Sequence, residues 1–240
     1  MPHFFIDEEI SCDRFTVGGE DGRHIVKSLR MSVGEALTLC SPSGTLHEGS
    51  ISDITADTVE VAISSHTPSQ AEPNVRVSLY QALPKGDKME FIIQKAVELG
   101  VTEIVPVISS RCISRPDSKS LDKKLARWQK IAKQAAMQSG RGIIPKVRGC
   151  ISFKEAVRTA GGEKIIFYEL GGERVRDILT DKPEELSIFI GSEGGFSSEE
   201  VSAVTQSGGK TATLGKRILR AETAPLAALA IIMYQTGNME

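Results

Sequence analysis

The feature that most constrains this fold is an alternation of apolar runs of strand length with amphipathic helical segments from about residue 74 onward. The predicted strands are 75–82, 103–108, 164–168, 186–190 and 210–214, and the predicted helices are 88–99, 118–139 and 225–235. Ser197 and Glu200 form a capping-box pattern that opens one more helix. Strands alternating with helices predict an α/β domain with a parallel sheet covered by helices on both faces.

The first 70 residues have a different pattern. Short runs of alternating polarity, such as 36–39 and 58–63, are separated by turn residues such as Pro42-Ser43-Gly44. This pattern predicts a small β-barrel or sandwich. The polar stretch 65–73 contains two prolines and is interpreted as a linker. We therefore expect two domains, residues 1–70 and residues 74–240.

Composition excludes several classes of protein. The chain has 240 residues, of which 40% are hydrophobic and 25% charged, as in ordinary globular proteins. No stretch approaches the roughly 18 apolar residues of a membrane helix, and the N-terminus has no signal-peptide pattern. Four cysteines and four histidines are scattered without metal-ligand spacing. We expect a reduced, cytoplasmic protein without a metal or a membrane partner.

The charge is unevenly distributed along the chain. Residues 1–70 carry 4 basic and 11 acidic side chains, whereas residues 111–148 carry 11 basic and 2 acidic ones. A solvated helix face is one interpretation of the basic stretch, and a phosphate-contacting surface is the other. Arg111, Arg115, Arg141 and Arg148 lie outside the predicted helix, and arginines in loops suit phosphate binding.

Residues 191–197, GSEGGFS, lie between a predicted buried strand and the capped helix. Ligand sites of parallel α/β folds form beyond the carboxyl ends of strands, and glycines there let the backbone approach a ligand. The loop fits neither GxGxxG nor a P-loop, and Glu193 would repel phosphate. A dinucleotide or triphosphate is therefore disfavoured. A tight strand-to-helix turn without a ligand is the alternative interpretation.

Residues 214–224, LGKRILRAETA, follow the last predicted strand. They place Arg217, Arg220 and Glu222 around aliphatic side chains just before an apolar helix. Thr223 is a candidate N-cap of that helix, because it lies shortly before Pro225. Capping does not account for the charged residues. A salt-bridged turn is the alternative to a functional site here.

These two loops together resemble the C-terminal signature of the SPOUT methyltransferases, and within that class the chain resembles the RsmE-type enzymes. The resemblance extends over nearly the whole chain. Residues 23–34 (RHIVKSLRMSVG) resemble the family's PUA-like RNA-binding segment, 85–101 (KGDKMEFIIQKAVELGV) its interdomain segment, and 138–141 (QSGR) its Q-x-GR element. Ser192 stands where the family commonly has proline.

The resemblance implies an S-adenosylmethionine-dependent enzyme that methylates N3 of a uridine in small-subunit ribosomal RNA, free or in the assembled subunit. It also implies a C-terminal trefoil knot after the PUA-like barrel, and a homodimer. Carried over by position, the cofactor-binding residues are Leu170, Gly191, Glu193, Gly194, Gly195, Leu214, Gly215, Ile218 and Leu219.

Methyl transfer to uridine N3 also needs a group that handles the N3 proton or the resulting negative charge. We expect Arg220 either to stabilise that charge or to hold the phosphate of the target nucleotide, and Glu222 either to act as the base or to orient Arg220. The expected RNA-binding residues are Arg23, His24, Lys27, Arg30, Arg111, Arg115 and Arg141. The alternatives are a SPOUT methyltransferase that acts on another RNA or atom, and a non-catalytic RNA-binding protein.

Overall fold

The computed structural model describes residues 1–181 and 183–239, which form two compact units. The first unit contains residues 1–72 and 136–144, and the second contains 73–135 and 145–240. The sequence gives no sign that residues 136–144 belong with the N-terminal unit. In the described part of the chain, no helix has the length and apolar character needed to cross a membrane.

The first unit is built on one five-stranded sheet. Its strands are β1 (His3–Phe5), β2 (Arg14–Val17), β3 (Ala36–Cys40), β4 (Thr45–Ile54) and β5 (Val59–Pro68), in the order β1-β3-β4-β5-β2. Helix α1 (Gly19–Arg23) and a π-helical turn (His24–Ser28) follow β2. No pairing joins the two edge strands among the described residues, so the expected barrel is present as a curled half-barrel that hydrogen bonds do not close.

The core of the first unit follows from the period-2 alternation of its strands. Leu37 and Leu39 on β3, Val59 and Val61 on β5, and Ile25 of the π-helical turn are completely buried. The sheet also corrects the predicted linker. Strand β5 continues to Pro68, where it pairs with Thr45, so residues 65–68 belong to the sheet. Polar composition alone was a poor guide, because an antiparallel strand can have polar side chains where it faces water.

The second unit is the predicted α/β domain. Its elements are β6 (Arg76–Ala82), α2 (Lys88–Glu98), β7 (Glu103–Ile108), α3 (Ser118–Ser139), β8 (Lys146–Val147), β9 (Ile151–Ser152), α4 (Phe153–Thr159), β10 (Glu163–Phe167), β11 (Glu173–Arg174), α5 (Val175–Ile178), β12 (Glu185–Ile190), α6 (Ser198–Gln206), β13 (Lys210–Thr213) and α7 (Thr223–Gln235). The strand order is β11-β13-β10-β12-β6-β7-β8, with β9 also on β7, and every pairing is parallel.

The helix ends agree with the sequence signals in one case and not in another. The capping box of α6 is confirmed, since Glu200 N donates to Ser197 Oγ and Ser197 N donates to Glu200 Oε2 at 2.9 Å. The N-cap predicted for α7 is wrong. Thr223 is already inside the helix, and Glu222 occupies the cap position without a side-chain cap bond.

A buried ion pair joins the added segment to the rest of the first unit. The Glu72 carboxylate accepts hydrogen bonds from Arg141 Nε at 3.2 Å, Gly142 N at 3.0 Å and Ile143 N at 3.2 Å. Arg141 is only 3% exposed. Removing one partner of a buried pair leaves the other charge without compensation, which is costly.

We therefore expect Arg141→Leu to lower the free energy of unfolding of the first unit by about 3 kcal/mol. The matched control is Arg14→Leu, which removes the surface pair between Arg14 and Glu60 and should cost less than about 1 kcal/mol. Urea unfolding followed by circular dichroism measures both. Equal effects of the two substitutions would contradict the structural role assigned to the Glu72 pair.

Candidate functional site

Loops that follow three adjacent parallel strands line one cavity of about 430 Å³ in the second unit. Strand β10 lies between β12 and β13, so their carboxyl ends meet at one edge of the sheet. The lining residues are Lys88, Phe167, Tyr168, Glu169, Ile190 and the continuous stretches 191–195 and 213–221, together with Ala224. The cavity lies where parallel α/β folds place their ligands.

The loop 191–197 is folded tightly on itself by its glycines. Gly195 has φ +64°, and its N–H donates to the Ser192 carbonyl at 3.0 Å. A Cβ added to Gly191 would lie 2.9 Å from the Gly195 Cα. Gln81, which is buried in β6, donates from Nε2 to the Gly191 carbonyl at 3.3 Å. This loop therefore presents backbone, rather than bulky side chains, to the cavity.

The loop between β13 and α7 supplies the apolar and cationic parts of the cavity. Ile218 lines it yet is 84% exposed, so its side chain is available to a ligand. The Arg220 carbonyl accepts hydrogen bonds from Thr223 N and Ala224 N, and these fix the entry into α7. The Arg220 guanidinium makes no hydrogen bond or ion pair with the described residues, although it lines the cavity.

A three-residue charge cluster, Glu193-Lys88-Glu222, lies beside the cavity. Lys88 Nζ is 2.8 Å from Glu193 Oε1 and 3.1 Å from Glu222 Oε2. Lys85 N donates to both Glu193 carboxylate oxygens, at 3.2 and 3.3 Å. Lys88 and Glu193 line the cavity, whereas Glu222 is not one of the lining residues. The first turn of α2 thus connects the two loops electrostatically.

The cluster keeps its members charged. Burial alone would raise the pKa of the Glu193 carboxyl, but the hydrogen bonds from Lys88 and from backbone N–H groups lower this pKa below its ordinary value. A backbone hydrogen bond, the Lys88 ammonium and the Arg220 guanidinium likewise lower the pKa of Glu222, against the opposing effect of burial. The same two carboxylates raise the pKa of Lys88. Near neutral pH the cluster therefore holds one positive and two negative charges.

The structure brings most of the predicted cofactor residues together. Gly191, Glu193, Gly194, Gly195, Leu214, Gly215, Ile218 and Leu219 all line the cavity. Leu170 does not line it and is 79% exposed, because residues 167–169 form this wall instead. Arg220 lines the cavity, whereas Glu222 does not line it and forms an ion pair with Lys88. Among the described residues no ion pair joins Arg220 to Glu222.

The predicted RNA-binding residues fall into three groups. Arg23, His24, Lys27 and Arg30 are all exposed on one segment of the first unit, with Lys27 paired to Asp57 at 2.7 Å. In the second unit, Arg111 donates to the Gly194 carbonyl at 3.0 Å, and Arg115 donates to the Ser110 and Cys112 carbonyls.

Arg141, the remaining predicted RNA-binding residue, requires a correction. Its guanidinium is buried and forms an ion pair with Glu72, so it is not exposed on the surface to RNA. The sequence placed it in a basic stretch outside the predicted helix, but the position of Glu72 was not visible in that pattern.

Two cavity residues were missed by sequence reasoning. Lys88 begins a predicted amphipathic helix, where a lysine is unremarkable, and its two partners lie far away along the chain. Glu169 follows β10, and its carboxylate lies so close to Gly195 that a Cβ there would come within 2.4 Å of Oε1. A charged residue just after a buried strand was the only available signal for Glu169.

The site has an apolar slot, a backbone-lined loop, a free guanidinium and ionised carboxylates. This combination suits a ligand that has an aromatic heterocycle, hydroxyl groups and positive charge. Within residues 1–181 and 183–239, no three His, Cys, Asp or Glu side chains come together as a metal site requires.

Comparisons with known proteins agree with this geometry. Residues 71–233 match the RNA methyltransferase domain family, and residues 17–64 match the RNA methyltransferase PUA domain. The chain is 37% identical to the Ribosomal RNA small subunit methyltransferase E of Bacillus subtilis, over 98% of this chain and 97% of that protein. It is 30% identical to the protein of the same name from Mycobacterium bovis, over 93% of this chain and 87% of that protein.

A solved structure is similar throughout. The Ribosomal RNA small subunit methyltransferase E from Neisseria gonorrhoeae, bound to S-adenosyl methionine, superposes with a TM-score of 0.88. It is 35% identical, and the match covers 98% of this chain and 97% of that one. The fold and site thus define an RNA methyltransferase domain preceded by a PUA domain. The chain belongs to the ribosomal RNA small subunit methyltransferase E family.

Proposed function

We propose that this protein transfers a methyl group from S-adenosylmethionine to N3 of a uridine in small-subunit ribosomal RNA. The observation that carries the proposal is the cavity at the ends of β10, β12 and β13, where a glycine loop faces an unpaired arginine. Full-length relatives named as small-subunit ribosomal RNA methyltransferases, one of them bound to S-adenosyl methionine, support it.

The residues present fit this cofactor. The volume of about 430 Å³ lies within the range of small-molecule pockets. The Ser192 hydroxyl is buried without a hydrogen-bond partner, so a ligand in the cavity can satisfy it. The residues that would hold the cofactor are Gly191, Glu193, Gly194, Gly195, Leu214, Gly215, Ile218 and Leu219, with Leu170 beyond the rim. When bound, the cofactor supplies a methyl group on a positively charged sulfur.

The chain's own residues then act on the RNA. Uridine N3 carries a proton, and its loss leaves negative charge on the base. The guanidinium of Arg220 is available to stabilise that charge, because it lines the cavity and forms no ion pair with a described residue, although the Glu222 carboxylate lies within its electrostatic reach. We assign Glu222 a positioning role, since Lys88 holds it and it does not line the cavity. Positioning of the nucleophile is also a large contribution to the rate of an in-line displacement.

RNA contacts are proposed for exposed side chains of each unit. Arg23, His24, Lys27 and Arg30 are exposed in the first unit, and residues 17–64 match a PUA domain of RNA methyltransferases. In the second unit, Arg111 donates to the Gly194 carbonyl of the glycine loop, and Arg115 is also exposed. The substrate is ribosomal RNA of the small subunit, alone or assembled, and we therefore propose a cytoplasmic location.

We also propose a homodimer and a trefoil knot in the second unit, as the family resemblance implies. Helix α7 is apolar on most sides, yet it leaves Ile231 and Tyr234 exposed, and Phe91 on the adjoining α2 is 46% exposed. A second copy of the chain is the occupant that would cover these side chains. Sedimentation equilibrium should then give twice the chain mass of 25.9 kDa, and a monomer would contradict the dimer.

We expect Arg220→Ala to lower single-turnover methylation of small ribosomal subunits about 100-fold while changing the dissociation constant for S-adenosylmethionine less than about threefold. Calorimetry measures binding, with ATP and NAD as control ligands, and nucleoside mass spectrometry identifies the product. The wild type should form N3-methyluridine. Formation of another methylated nucleoside would show that the enzyme methylates a different RNA atom. Absence of both cofactor binding and methyl transfer would favour the alternative of a non-catalytic RNA-binding protein.

Charge reversal at Arg23 and Arg30 should weaken RNA binding and flatten its salt dependence, because each lost phosphate contact releases about one counterion fewer. The matched control is charge reversal at Arg158 and Arg174, which are exposed in the second unit outside the proposed surface. Binding to a ribosomal RNA fragment is measured between about 50 and 200 mM salt. If the dependence of RNA affinity on salt concentration is unchanged, Arg23 and Arg30 do not contact RNA, and the N-terminal unit serves as a scaffold.

A further inference from the structure

Lys88 is the only described residue that forms ion pairs with both site loops. It begins α2 and contacts Glu193 in the loop after β12 and Glu222 in the loop after β13. Its side chain is 31% exposed, and those of the two carboxylates are 30% and 24% exposed. Ion pairs at this partial burial are stronger and less screened than fully exposed ones.

The loop after β12 has several attachments besides Lys88. Gln81 holds the Gly191 carbonyl, Arg111 holds the Gly194 carbonyl, and the turn closes through Gly195 N. The segment that carries Arg220 has fewer. Its backbone enters α7 through two hydrogen bonds, and the side-chain link from Glu222 runs to Lys88.

This difference separates the two loops functionally. Loss of Lys88 leaves the glycine loop with its other hydrogen bonds, so the cofactor pocket keeps its shape. The same loss frees Glu222, which is then able to pair with the neighbouring Arg220 guanidinium. An arginine drawn to a protein carboxylate is both displaced and partly neutralised. Small misplacements of a catalytic group are known to cost large factors in rate.

We infer that Lys88 is a positioning residue for methyl transfer, which occupies Glu222 and ties it to Glu193 so that Arg220 stays free to meet the RNA. This inference rests on the proposed function and assigns a role to a residue outside both motif loops. Lys88 acts through Glu222 and Arg220 and forms no bond in the reaction.

The test compares Lys88→Met, Lys88→Arg and the control Lys95→Met in single-turnover methylation at saturating S-adenosylmethionine. Lys95 lies on the same helix and pairs with Glu98 at 2.8 Å, so its loss removes one ammonium and one ion pair outside the site. We expect Lys88→Met to reduce the rate about 10- to 100-fold. Lys88→Arg should restore most of it, because a guanidinium also reaches two carboxylates.

Binding and folding are measured on the same variants. Calorimetry should give dissociation constants for S-adenosylmethionine within about threefold of the wild type, and melting temperatures should match that of Lys95→Met. The double variant Lys88→Met/Glu222→Gln should regain part of the rate, because the freed carboxylate is no longer charged. Failure of the proposed function looks different, since the wild type itself would then transfer no methyl group.

Two results would overturn the inference. One is a Lys88→Met rate equal to that of Lys95→Met, which would make the ion pairs irrelevant to the reaction. The other is a parallel loss of rate, cofactor binding and melting temperature that Lys88→Arg does not restore. That pattern would assign Lys88 a purely structural role.

Discussion

Parallel pairing of β10 with β12 and β13 is the constraint on which the site depends. In a parallel sheet the carboxyl ends of neighbouring strands lie at the same edge, so the loops that follow them are brought together whatever their separation in sequence. The strands of the second unit are rich in buried aliphatic residues, as is typical of a parallel sheet covered on both faces. The cavity is therefore a consequence of strand order, and the loop residues decide what it can bind.

The charged residues beside the cavity then have different roles. One ammonium group, that of Lys88, meets two carboxylates that come from different loops, while the Arg220 guanidinium stays without a partner. The cluster keeps one excess negative charge, which favours a positively charged ligand beside it. The arginine retains its charge for the RNA. The negative charge beside the cofactor cavity and the positive charge available to the RNA are thus carried by different residues.

Much of this could be predicted from the sequence, and the exceptions have physical causes. Apolar runs such as 186–190 predicted the strands, and the two motif loops predicted the position of the cavity. Both predictions were possible because the signals lie in short continuous stretches of sequence. Lys88 and Glu72 were missed because their roles depend on partners distant in sequence. Arg141 was misassigned for the same reason. The polar end of β5 was mistaken for a linker, because pairing with β4 leaves no mark on its composition.

The most direct measurement of the charge cluster is a carbon-13 NMR titration of the side-chain carboxyls of Glu193 and Glu222, in the wild type and in Lys88→Met. Lys88 and nearby backbone N–H groups lower the pKa of both carboxyls below the ordinary 4.5. Any stability this supplies is complete above pH 4.5 and is lost as pH falls through the lowered pKa. The Glu193 midpoint should rise in Lys88→Met, whereas the Glu222 midpoint stays low, because Arg220 then becomes its partner. An unchanged Glu193 midpoint would show that Lys88 does not hold the two loops together.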